Sequence, residues 1–69
     1  MGGSAAHRPA LEAALADAHW RVRVAAAEGL RRIGDPASIP ALRRHVRDEH
    51  PVVENAVGFA LRSLEGRTG

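Results

Sequence analysis

Trp20-Arg-Val-Arg-Val-Ala-Ala-Ala-Glu-Gly-Leu-Arg-Arg-Ile33, closed by Gly34-Asp35-Pro36, carries apolar or small residues at Val22, Ala25, Ala26, Gly29, Leu30 and Ile33. Their steps of 3, 1, 3, 1 and 3 trace one face of an α-helix, not the alternation of a strand. The residues that follow punctuate it. Gly34 suits the left-handed closure of a helix, Asp35 offers a capping carboxylate, and Pro36 suits the first turn of the next helix.

Working outward, the pattern returns. Shifting the chain by 31 positions lays residues 3–33 on 34–64 and pairs identical residues at 3/34, 6/37, 9/40, 10/41, 11/42, 17/48, 19/50, 22/53, 25/56, 30/61 and 31/62. Eleven matches in 31 positions compare with roughly three for unrelated sequence of this composition. Each copy reads as two helices. In the first, Leu11, Ala14 and Leu15 precede a break at Asp17-Ala-His19, and the Trp20–Ile33 stripe follows. In the second, Ile39, Leu42 and Val46 precede Pro51, and Val53, Ala56, Val57, Ala60, Leu61 and Leu64 form the stripe. Small residues at Ala25, Ala26, Gly29, Ala56 and Ala60 allow helix backbones to approach closely. The expectation is an all-α fold of four helices, an α-solenoid fragment made of two stacked hairpins.

Asp17-Ala-His-Trp-Arg-Val-Arg-Val-Ala-Ala-Ala-Glu-Gly-Leu30 and Gly34-Asp-Pro-Ala-Ser-Ile-Pro-Ala-Leu42 resemble the short HEAT-like repeats of phycobilin-lyase-type and related proteins. The likeness covers about residues 8–64. It implies a right-handed solenoid whose second helices line a concave binding face, and an arginine, here Arg23, that meets the loop aspartates Asp17 or Asp48. Glu54 stands where the second copy should carry that arginine, leaving it to pair with an arginine of the first unit. Trp20 stands where proline is more usual. The Trp-Leu-Gly and Thr-Pro-Leu-His signatures of TPR and ankyrin units are missing. The expected organisation is a tail over 1–7, repeat one over 8–33, repeat two over 34–64 and a tail over 65–69.

Composition narrows the function classes. A chain of 69 residues holds one small domain, at the size where a single core barely offsets chain entropy. It has no cysteine, tyrosine or lysine, so disulfide staples and thiolate chemistry are excluded. Ser38 and Ser63 have no evident His/Asp partners, and there is no Gly-rich phosphate loop; no catalytic residue and no cofactor is expected. His45, Asp48 and His50 lie near one loop, but their spacing is not that of ligands on one helical face, so no metal site is assigned. Ten Arg against eight Asp and Glu make a mixed surface rather than a nucleic-acid field. No apolar run approaches a membrane span and no signal peptide is evident, so the default location is cytoplasmic.

What remains is binding. Opposite the core stripes, the second helices carry Trp20, Val24, Ala27, Glu28 and Arg31, and Asn55, Gly58, Phe59 and Arg62. The candidate partner-binding set is Trp20, Val24, Glu28, Arg31, Asn55, Phe59 and Arg62, aromatic anchors flanked by arginines that suit a protein partner or neighbouring domain. The alternative role for Trp20 and Phe59 is closure of the domain. Two repeats bury a single seam, whereas arrays usually need about three. Homo-oligomerisation, docking to a larger protein through the solenoid ends, or membership of a longer chain is therefore the second expectation.

Overall fold

The computed structural model describes residues 3–68, and the side chains of residues 7–66. Among them the chain forms α1 (Gly3–Ala14), α2 (Trp20–Ile33), a 3₁₀ turn (Pro36–Ser38), α3 (Ile39–Arg44) and α4 (Pro51–Thr68), with no strand. This is the expected four-helix arrangement of two hairpins. The expected tails are shorter than the sequence suggests. Residues 3–7 already belong to α1 and residues 65–68 to α4, because once a helix is nucleated each added residue gains a backbone bond. Residues 1, 2 and 69 lie outside the described residues.

The punctuation acts where it stands. Gly34 ends α2 with φ 72°, a left-handed conformation that glycine adopts without cost, and its N–H donates to the Leu30 carbonyl. The Asp35 carboxylate accepts from the Ala37 N–H at 2.9 Å, with Pro36 at a position that needs no donor. The loops inside the two hairpins, α1–α2 and α3–α4, use one device. Asp17 Oδ1 accepts the His19 N–H, and Asp48 Oδ1 accepts the His50 N–H, each at 2.8 Å. These aspartates satisfy amides just ahead of α2 and α4 that have no helical partner. The first helix of the second unit is short. Arg44 is its last residue, and Val46 sits in the turn that follows while still packing on the core.

Packing arranges the helices around α2, which lies between α1 and α4, while α3 rests on α4. Leu15, Leu30, Leu42, Val53, Val57 and Leu64 are fully buried, with Ala26, Ala27 and Ala60 filling the close approaches. Gly29 marks the tightest of these. A Cβ there would lie 2.9 Å from Leu11 Cδ1, so glycine lets α1 close down on α2. Polar links tie unit one to unit two. Buried Ser38 donates its hydroxyl to Glu12 Oε2 at 2.9 Å, and Arg8 joins Glu12 at 2.8 Å and Asp35 at 3.3 Å. Arg43 of α3 pairs with Glu65 of α4 at 2.8 Å.

The α4 stripe is buried or partly buried throughout: Val53, Val57, Ala60 and Leu64 fully, Ala56 and Leu61 in part. The α2 stripe is rotated from its expected position. Val22 and Ala25 are exposed, whereas Ala27, expected on the open side, is completely buried. The cause is α2's central place. Val22 corresponds to the fully buried Val53 of α4, but among the described residues no helix lies on the matching side of α2. Ala27 instead turns toward α4.

One arginine fastens the seam. Arg23 Nε and Nη2 donate to Asp48 Oδ2 and Oδ1 at 2.8 and 3.2 Å, while Nη1 donates to the Asp17 and Ala18 carbonyls at 2.7 and 3.1 Å. The guanidinium thus joins the loop of its own hairpin to the loop of the next. Burial raises the Asp48 carboxyl, but the His50 N–H and the Arg23 guanidinium outweigh it and hold the group below its ordinary value of 3.8. Glu54, at the position matching Arg23, is exposed and forms no ion pair among the described residues, contrary to the expectation of an arginine partner. No arginine of unit one faces it, because α4's outer side looks away from that unit.

Three expectations follow for stability. Arg23→Ala should cost about 2–3 kcal/mol through its charge-assisted bonds, a fall in Tm on the order of 10–20 °C at this size. Arg23→Lys should recover less than half, because an ammonium cannot span both loops; thermal unfolding by circular dichroism reads both. A carboxyl held low in the folded state adds stability that is present above the ordinary carboxylate range and disappears as pH falls through the folded value. The stability gap between wild type and Asp48→Asn should therefore be full above about pH 5 and close as pH falls below 3.8, measured by urea titration across pH. Gly58→Ala, whose Cβ would meet only Arg62 Nη1 at 3.4 Å, should stabilise by about 0.5–1 kcal/mol. Gly29→Ala should gain less, because Leu11 must move aside.

Candidate functional site

Helical geometry decides which candidate residues are free. On α2, Arg23, Ala27 and Arg31 lie at i, i+4 and i+8 and so form one stripe. Both ends of it touch the second unit: Arg23 holds Asp48, and the Arg31 guanidinium lies 5.2 Å from the Phe59 ring centroid. Ala27, between them, is fully buried. Trp20, one turn before Arg23, also faces unit two. Its ring stacks on His50 with centroids 4.1 Å apart and planes 16° from parallel, and Arg21 approaches the ring at 5.3 Å. His50 Nδ1 in turn accepts the Val52 N–H at 3.2 Å. Trp20, Ala27 and Arg31, expected on the open side of α2, thus lie along the seam between the repeats.

The seven candidates therefore separate. Trp20 and Val24 pack partly buried against the core. Arg31 spans the seam to Phe59. Glu28 is exposed on α2. Phe59 is 55% exposed although it is the chain's only phenylalanine. Asn55 and Arg62 are exposed on the same face of α4, where they border a groove. That groove, about 340 Å³, is lined by Val46, Glu54, Asn55, Gly58, Leu61 and Arg62. The periodicity placed Leu61 in the core and left Glu54, Gly58 and Val46 outside the candidate set. The signal that finds the groove is repeat register, because its six residues match Leu15, Arg23, Val24, Ala27, Leu30 and Arg31 of unit one.

A second cleft, about 290 Å³, lies over the Arg23–Asp48 bridge, flanked by Arg44, His45, Arg47 and Glu49. It mixes cations and carboxylates, and the one strong acceptor–donor pair within it is already joined. Among the described residues no group of three His, Asp or Glu could hold a metal, and no helix is long and apolar enough to cross a membrane.

A family model described as HEAT repeats matches residues 2–62. No curated protein and no solved structure matches the chain. The match spans both hairpins and agrees with the duplicated two-helix unit. The chain belongs to the HEAT-repeat family.

Proposed function

We propose that this chain is a protein-binding module whose partner contacts the second helices around Phe59. HEAT repeats generally mediate protein–protein interaction and are typically non-enzymatic scaffolds. Phe59 carries the reading. It is a large aromatic 55% exposed on α4, and the Arg31 guanidinium holds its ring from one side. An aromatic that contributes little to the core and is already ordered makes a low-entropy anchor. Glu28, Asn55 and Arg62, exposed nearby, supply polar groups for the rim, where Arg62 can take a partner carboxylate. Trp20 and Val24 support this face from beneath rather than touching the partner, since both are engaged with the core. The partner segment suited to the face offers an apolar pocket for Phe59 and carboxylates for the arginines.

Phe59→Ala separates an anchor from a cap. An anchor should cost less than about 1 kcal/mol of stability, against about 2–5 kcal/mol for Leu64→Ala, in paired urea titrations. A photo-crosslinking amino acid at position 59 should join the chain to one discrete protein in its source cells, and the same group at Glu49 should not. A large stability loss on Phe59→Ala, with no crosslink specific to position 59, would overturn the reading.

A further inference from the structure

The groove at the C-terminal end of the pair is the seam surface repeated one unit on, with one charge reversed. In unit one, Arg23 pairs with Asp48 of the second unit, and Ala27, Leu30 and Leu15 are wholly buried. In unit two the matching places hold Glu54, Gly58, Leu61 and Val46, and they line an open groove of about 340 Å³. The apolar floor is kept: Val46 for Leu15, Gly58 for Ala27, Leu61 for Leu30. The fastener is inverted. Where Arg23 holds Asp48 of the next loop at 2.8 Å, Glu54 presents a carboxylate.

We propose that this groove docks a helical partner whose face is like that of Val53, Ala60 and Leu64, but which carries a basic residue at the loop position of Asp48. Arg62, matching Arg31, adds a preference for an aromatic or acidic side chain at the place of Phe59. The inference is independent of the Phe59 reading. The charge also argues against a second copy of this chain. Head-to-tail stacking would set Glu54 opposite Asp17, the residue matching Asp48, so that two carboxylates met where the internal seam has an ion pair. It would also replace the Trp20–His50 stack by Pro51 against His19. Apolar complementarity without charge complementarity leaves the end selective: an identical unit is refused and a basic-looped one accepted.

The test uses the full chain. Asp17→Arg with Glu54→Arg gives a charge-swapped probe whose guanidinium at position 17 mimics the basic loop; Arg23 and Asp48 themselves are kept, while the bond from the His19 N–H to the Asp17 carboxylate is given up. Wild type alone and the probe alone should both sediment as monomers. Their equimolar mixture should associate at least about tenfold more tightly than either alone, with the gain falling as salt rises. In the mixture the wild-type amides of Asn55, Gly58, Leu61 and Arg62 should shift in NMR spectra. Glu54→Arg alone should self-associate through Asp17, which keeps the test decisive if the double variant folds poorly by circular dichroism. Self-association of wild type as strong as the mixture would make a second copy the occupant and overturn the proposal. A mixture, or a Glu54→Arg chain, that associates no better than wild type would overturn it equally.

Discussion

Arg23 is the residue on which the tertiary arrangement turns. A two-helix unit has one apolar face for its own hairpin and a second for its neighbour, and small domains have little free energy with which to hold two units in register. Apolar burial between α2 and α4 supplies attraction but little directionality. The guanidinium supplies the register. Its planar fork reaches the Asp48 carboxylate on one side and the Asp17 and Ala18 carbonyls on the other, so the two loops are fixed to one group with few ways to slide. Asp48 is fixed in turn by the His50 N–H, and His50 by stacking on Trp20. These contacts form one continuous patch along the loop end of the seam.

Seen from that patch, the two repeats are alike in sequence and unlike in situation. α2 has helices on two sides, and α4 is open on its outer side. Matching residues therefore take opposite environments: Val22 is exposed where Val53 is buried, and Ala27 is buried where Gly58 borders a groove. Among the described residues, Ala26 and Val57 are the one matched pair buried in both units. The substitutions follow this asymmetry. Asn55 replaces Val24 and Glu54 replaces Arg23 on the side of α4 against which the described residues place no helix. Polar replacement on an open solenoid face lowers indiscriminate stacking, while Leu61, Val46 and Gly58 keep a shape into which a helix fits.

The repeat, its four helices and its punctuation were legible because they depend on local rules. A glycine at a left-handed C-cap, aspartates that accept loop amides, and the 3.6-residue period act over a few residues each. The rotation of α2 was not legible. Its Val22/Ala25/Gly29 face and its Trp20/Val24/Ala27 face are both small or apolar, and periodicity alone cannot choose between two apolar stripes on one helix. The candidate set inherited that ambiguity. Phe59, Asn55, Arg62 and Glu28 are exposed, whereas Trp20 and Arg31, placed on an open face, instead meet the second unit, and Val24 packs on the core. The departure at Glu54 was visible, but its meaning required knowing what Arg23 holds.

The sequence by itself determined the duplicated hairpin, the breaks and caps between its helices, and membership of a repeat family, since each follows from spacing and backbone chemistry within one unit. Only the tertiary structure decided which stripe of α2 becomes the seam and which matching stripe of α4 lines a groove. Those are relations between units, set by the neighbour against which a residue can be buried, and two identical residues 31 positions apart can meet opposite fates.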